Sequence, residues 1–150
     1  MVAVVLALIA TAVAIGAWFR PAPKPEAPAA KTYSEQEVAD AKKAVCDAYE
    51  RAHRALQTTG SKDGGNDPTT SLAIAVNVRL AFGESSSYLL RTLQEYAATP
   101  ADLRDQVRTA SESFQQISLD QLGEAPQQEL DPILKRADAA DLSIKKTCGE

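Results

Sequence analysis

Apolar positions recur at intervals of three and four through most of this chain, and no stretch alternates with the period of two that a half-buried strand needs. The pattern predicts four helices in the region beyond residue 32. The first opens with Ser34 and Glu37, spaced as a capping box, and carries Val38, Ala41, Val45, Ala48, Ala52 and Ala55 on one line, with Tyr49 and Leu56 beside it. It should run to about residue 58, with a thin face made mostly of alanine. The turn-forming run GSKDGGND at residues 60 to 67 ends in Asp67 before Pro68, the N-cap and first-turn signal of a second helix reaching about residue 98. That helix shows Ile74, Val78, Phe82, Leu89, Leu93 and Tyr96 on one side and Leu72, Val76 and Leu90 on another, so it is expected at the centre of the bundle.

Thr99-Pro100-Ala101-Asp102 repeats the cap-and-proline signal, and Leu103, Val107, Ala110, Phe114 and Ile117 follow at helical spacing. After Ser118 the pattern loosens through Leu119, Leu122, Gly123 and Pro126, which reads as a loop or a short extra turn. Asp131-Pro132 then starts a last helix bearing Ile133, Leu134, Ala137, Ala140, Ile144 and Cys148. Lys145 and Lys146 in its final turn suit the helix dipole, and Gly149 stops it. The expected fold is all-α, a small antiparallel four-helix bundle over residues 33–150.

The first 19 residues follow a different rule. From Val2 to Phe19 there are 18 positions without a charge; as a helix they would span roughly 27 Å, close to the ~30 Å hydrocarbon core of a bilayer. Trp18, Phe19 and Arg20 form a suitable interfacial border. Residues 1–19 therefore read as a transmembrane anchor, with a cleaved signal peptide ending at Ala12-Val13-Ala14 as the rival. Residues 20–32, RPAPKPEAPAAKT, hold four of the chain's eight prolines. They read as an extended Pro/Ala-rich stalk with a reach of up to ~40 Å.

Orientation pulls two ways. The positive-inside rule would keep Arg20 and Lys24 cytoplasmic, and basic residues upstream of Met1 would be needed to reverse it. Cys46 and Cys148, with no metal-binding or redox motif around them, argue for a disulfide and hence for an oxidising compartment, two free buried thiols being the alternative. On that reading the protein is a single-pass plasma-membrane protein with its C-terminal domain on the extracytoplasmic side. In an up-down bundle Cys46 lies midway along the first helix and Cys148 at the tip of the last, so the bond requires a stagger or a tilt.

Charge narrows the partners. Beyond residue 32 there are 13 basic and 19 acidic residues, a balance of −6 (13 − 19) with no basic cluster. Phosphate backbones and anionic lipid surfaces would be repelled, so nucleic-acid binding is not expected. Candidate chemistry is sparse. His53 is the sole histidine and sits among Glu50, Arg51 and Arg54, as a surface residue would; no metal-ligand spacing accompanies it. Gly83-Glu84-Ser85-Ser86-Ser87 lacks the second glycine of a nucleophile elbow and falls inside a helix. Asp63-Gly64-Gly65-Asn66-Asp67 lacks EF-hand spacing and is explained by a turn with an N-cap. No catalytic residue, metal or cofactor is expected, and the protein is not read as an enzyme.

One feature departs from an ordinary bundle. Gly83 and Ser85 to Ser87 interrupt the apolar faces of the second helix. Such small residues either admit a neighbouring helix closely or leave a groove, lined by Val76, Arg79, Phe82, Gly83 and Leu90, in which Arg79 would meet the acidic head group of an acyl chain.

The apolar start, RPAPKPEAP, YSEQEVADAKKAVCDAYERAHRAL, GGNDPT, ATPADL and the terminal cysteine together resemble a group of mycobacterial alanine- and proline-rich membrane proteins of unknown function. The 27 alanines in 150 residues fit the same group. The resemblance implies a cell-envelope location and a disulfide-bonded ectodomain; it supplies no catalytic or binding residues. The expected function is that of a non-enzymatic accessory subunit whose helical domain docks on a protein partner in the envelope. The alternative is a lipid-binding carrier or sensor using the groove beside the second helix, with a hydrolase a distant third.

Overall fold

The computed structural model describes residues 31–149, and among these every regular element is helical. The anchor expected at residues 1–19, its Trp18-Phe19-Arg20 border and the stalk through residue 30 lie outside the described residues. Among the described residues no helix is long and apolar enough to cross a membrane.

Four helices follow in order: α1 (Glu35–Gly60), α2 (Pro68–Glu95), α3 (Ala101–Leu122) and α4 (Gln127–Cys148). The start of α1 is a full capping box. The Glu37 N–H donates to Ser34 Oγ at 3.3 Å and the Ser34 N–H donates to Glu37 Oε2 at 2.7 Å. The Ser34 N–H, and after it the Ser34 hydroxyl donating to the same Oε2 at 2.8 Å, hold the Glu37 carboxyl below its ordinary value. Asp67 caps α2 by accepting from the N–H groups of Thr69 and Thr70, with Pro68 at the first position, where its missing N–H costs nothing. The Thr70 hydroxyl and N–H pull the Asp67 carboxyl down in the same way.

Two helix starts differ from the sequence pattern. Thr99 does not cap α3. Its hydroxyl turns back to donate to Tyr96 O at 2.6 Å, closing the end of α2, and Pro100 in an extended conformation takes the N-cap position without a side-chain bond. The last helix begins at Gln127 rather than at Asp131, so Pro132 lies inside it. A proline there removes one backbone hydrogen bond. The added turn offsets this by burying Leu130 and by pairing Gln127 Nε2 with Asp131 Oδ1 at 2.8 Å. Nor does the pattern break after Ser118, since α3 runs on as helix to Leu122. At the other end of α4, Gly149 has φ 90° and donates its N–H to Lys145 O, the left-handed stop that a glycine permits.

Contacts across the bundle fix its topology. Ser118 meets Arg79, Thr147 meets Gln106, Arg136 meets Ser113, and Tyr49 meets Asp141, so position numbers rise on one helix as they fall on its neighbour. The helices are antiparallel, each packed chiefly on the next in sequence, while α1 and α4 touch only lightly. The core joins Val45, Tyr49 and Ala52 of α1, Leu89 and Leu93 of α2, and Ile133, Ala137 and Ile144 of α4 around α3. From α3 come Leu103, Val107, Ala110, Phe114 and Ile117, together with the buried hydroxyls of Ser111, Ser113 and Ser118. Both α2 and α3 pack on two neighbours, so α2 is central as its two apolar sides suggested, and α3 shares that place with more buried residues. Every buried residue of α2 lies at or beyond Ser85.

Cys46 and Cys148 form a disulfide, with Cα atoms 5.7 Å apart. The stagger it requires is present: Cys46 is twelfth in α1 and Cys148 is last in α4, leaving about 17 Å of α1 ahead of the bond.

Candidate functional site

The exposed first half of α2 carries Leu72, Val76 and Leu80, four residues apart and thus on one line of the helix. They remain between 50% and 62% exposed, and so do Leu119 and Leu122 at the end of α3. Val76, Leu80 and Leu122 line a groove of about 300 Å³ between α2 and α3, and Leu72 and Leu119 follow about one turn away along the same two helices. Val76, Leu80 and Leu122 form its apolar walls, Gly83 and Ser118 its floor, and Arg79 and Glu84 its charged edge.

The floor is shallow for a structural reason. Ser118 Oγ donates across the interface to the backbone carbonyl of Arg79 at 3.0 Å, drawing the helices together where Gly83 has no side chain; a β-carbon there would lie 3.4 Å from the same oxygen. Close packing at Gly83 and an open groove above it are thus two sides of one arrangement. Ser87 donates to Gly83 O within the helix, whereas Ser86 is buried with no partner for its hydroxyl.

Of the residues singled out in the sequence, Val76, Arg79 and Gly83 come together in this groove. Phe82 points elsewhere, its ring 5.7 Å from that of Phe114 against the core. Leu90 lies further along the same side of α2, in a second depression with Gln94, Arg104, Arg108 and Gln115. The sequence reading missed Leu80, Leu119 and Leu122. The four-residue spacing of Leu72, Val76 and Leu80 was the available signal, and the loosened pattern after Ser118 hid the other two.

A second cluster joins α1 to α4 beside the disulfide. Tyr49 donates its hydroxyl to Asp141 Oδ1 at 2.8 Å, and Lys145 donates to Asp141 Oδ2 at 2.9 Å. His53 lies 3.2 Å from Lys145 Nζ and stacks on Tyr49. His53 is therefore half-buried against α4 rather than set on the charged outer face, because its ring follows Tyr49 one turn earlier. Asp141 is occupied by its neighbours, and no group of three or more histidine, cysteine or carboxylate side chains among the described residues could hold a metal ion. In the Asp63–Asp67 turn the carboxylates are likewise engaged: Asp63 Oδ1 accepts from Gly65 N–H, and Asp67 caps α2. Gly83 to Ser87 lie within α2, far from any strand-to-helix turn.

The chain matches no protein-family model, no curated protein and no solved structure. What the molecule offers is therefore its own geometry: an apolar groove on α2 and α3 with no enclosed, convergent set of reactive groups in it. Leu72, Val76 and Leu80 on α2 and Leu119 and Leu122 on α3 leave large apolar surface exposed, and contiguous apolar patches mark interaction surfaces.

Proposed function

We propose that this protein is a non-enzymatic, membrane-anchored cell-envelope protein whose helical domain acts as an accessory subunit, docking a protein partner on the α2–α3 groove. The observation that carries the reading is the run of exposed leucines and valine beside the groove, Leu72, Val76, Leu80, Leu119 and Leu122. Covering them would remove apolar surface from water without rearranging the core, since none of them belongs to it. The disulfide supports an oxidising location, and the uncharged run at residues 2–19 supports an anchor in the plasma membrane with this domain on the extracytoplasmic side. The likeness to mycobacterial envelope proteins points the same way.

Purification of the full chain in mild detergent, followed by mass spectrometry of what stays bound, tests the reading. A stoichiometric protein retained by the native chain and lost from Leu80→Glu is the expected result. Bound lipid without protein would instead favour an envelope lipid carrier or sensor. That second reading rests on the groove itself, with Arg79 at its edge for an acidic head group. Arg79→Ala leaving lipid retention unchanged would count against it.

A further inference from the structure

The apolar groove is one end of a longer track. Along α2, Val76, Leu80, Gly83, Ser87, Leu90 and Gln94 follow at alternating intervals of four and three, which keeps them on a single line of the helix. On α3 the matching line runs from Leu122 through Ser118 and Gln115 to Arg108 and Arg104. The groove lined by Val76, Gly83 and Leu122 and the depression lined by Leu90, Gln94 and Arg108 therefore open on the same side of the helix pair. From Val76 to Gln94 the seam extends about 27 Å, the length of a five-turn helix.

Its two ends differ in chemistry. The end around Leu80 is apolar. The end around Gln94 is polar and carries Arg104 and Arg108, with Glu112 one turn beyond Arg108. Neither arginine has a carboxylate within ion-pair distance among the described residues. Arg104 spends two hydrogen bonds on the carbonyls of Ala97 and Thr99 while its buried Nε has no partner, and Arg108 is exposed.

This polarity decides between occupants. A second copy of the chain related by a two-fold axis must present the same patch to itself. With the axis across the seam, leucines would face arginines; with the axis along it, arginines would face arginines. An acyl chain also fits poorly. At about 300 Å³ the groove is at the small end for ligand sites, and it lies open along one side, so much of a lipid tail would stay in water. A helix laid between α2 and α3 needs no enclosure, and a single large side chain fills a hollow of this size, as interface anchors do.

We infer that the seam takes an amphipathic helix from a different protein, with one large apolar side chain seated over Gly83 and Ser118 and an acidic residue about four turns away, facing Arg104 and Arg108. The inference rests on the docking reading above and gives the partner its chemistry. From Gly83 to Ala97 is 14 positions, so anchor and acid should stand roughly 21 Å apart on the partner helix.

Two synthetic helical peptides test it against the full chain kept soluble in amphipol. Both carry a phenylalanine anchor and a leucine face; one bears two glutamates 14 residues from the anchor, the other two lysines. The glutamate peptide should bind about five-fold tighter, a preference that Arg108→Glu reverses and added salt weakens. Leu80→Glu and Gly83→Leu, each checked for unchanged helicity, should abolish binding of both. Equal affinity for the two peptides, unmoved by Arg108→Glu but lost in Gly83→Leu, would overturn the charged end while leaving docking intact. Binding of neither peptide would overturn the docking reading too, and palmitate binding blocked by Gly83→Leu would then assign the groove to an acyl chain.

Discussion

Gly83 of α2 and Ser118 of α3 face each other across the helix interface, with the serine hydroxyl donating to the carbonyl of Arg79 one turn before the glycine. This contact draws α2 onto α3 and leaves the hollow above it. The first half of α2 has no buried residue of its own, so its attachment to the bundle depends heavily on this region.

Two buried serines, Ser118 of α3 and Ser86 of α2, should respond oppositely to alanine. Ser118→Ala removes the bond to Arg79 and leaves that carbonyl with one acceptor site unused, which costs about 1 kcal/mol. Ser86 is buried with an unpartnered hydroxyl, so Ser86→Ala should raise stability by about 1 kcal/mol, helped by alanine's higher helix propensity. Urea unfolding of both variants checks the signs; destabilisation by Ser86→Ala would mean that the hydroxyl has a partner in solution.

The disulfide joins α1 to α4, which touch more lightly than any two helices adjacent in sequence. It closes a loop of 103 residues (148 − 46 + 1), for which the chain-entropy model gives at most about 4 to 5 kcal/mol. Replacing both cysteines by alanine should cost about 2 to 4 kcal/mol. Hydrogen exchange should then rise first in the last turns of α4, where Tyr49–Asp141, His53–Lys145 and Thr147–Gln106 still tie it to its neighbours. Uniform loss of protection across all four helices would contradict a local clasp.

Much of this was legible from the chain's spacing, because cap, proline and glycine signals act locally. Ser34 with Glu37, Asp67 before Pro68 and Gly149 all mark the ends where the helices begin or stop. Signals that compete with a neighbour were not legible. Thr99 lies between the free carbonyls ending α2 and the free N–H groups opening α3 and serves the carbonyls, and Pro132 was read as a start although one interior proline is tolerated when Leu130 gains burial. The two apolar sides of α2 are real, but periodicity records which residues avoid water and not what covers them. Ser111 and Ser113 are polar in the sequence yet buried in α3, because their hydroxyls bond to carbonyls one turn back, a burial that apolar spacing does not register.

Acid should loosen the helix starts before the core. Glu37 and Asp67 are held below their ordinary values of 4.5 and 3.8. A depressed carboxyl contributes stability that is complete above the ordinary value and is lost as pH falls through the lower folded value. Stability should therefore be flat down to about pH 5 and decline below it. Asp67→Asn keeps a capping side chain without the titration, so it should flatten part of that decline. An unchanged acid limb in Asp67→Asn combined with Glu37→Gln would place the sensitivity elsewhere.

The most direct test of the docking surface is photo-crosslinking in the native cell from single positions. A photoreactive residue at 76, 80, 119 or 122 should capture one common protein partner in high yield. The same residue at Leu142, more exposed still but on α4 and off the seam, should capture none of it. Equal capture from position 142, or none from the four seam positions, would contradict the assignment of α2 and α3 as the interaction face.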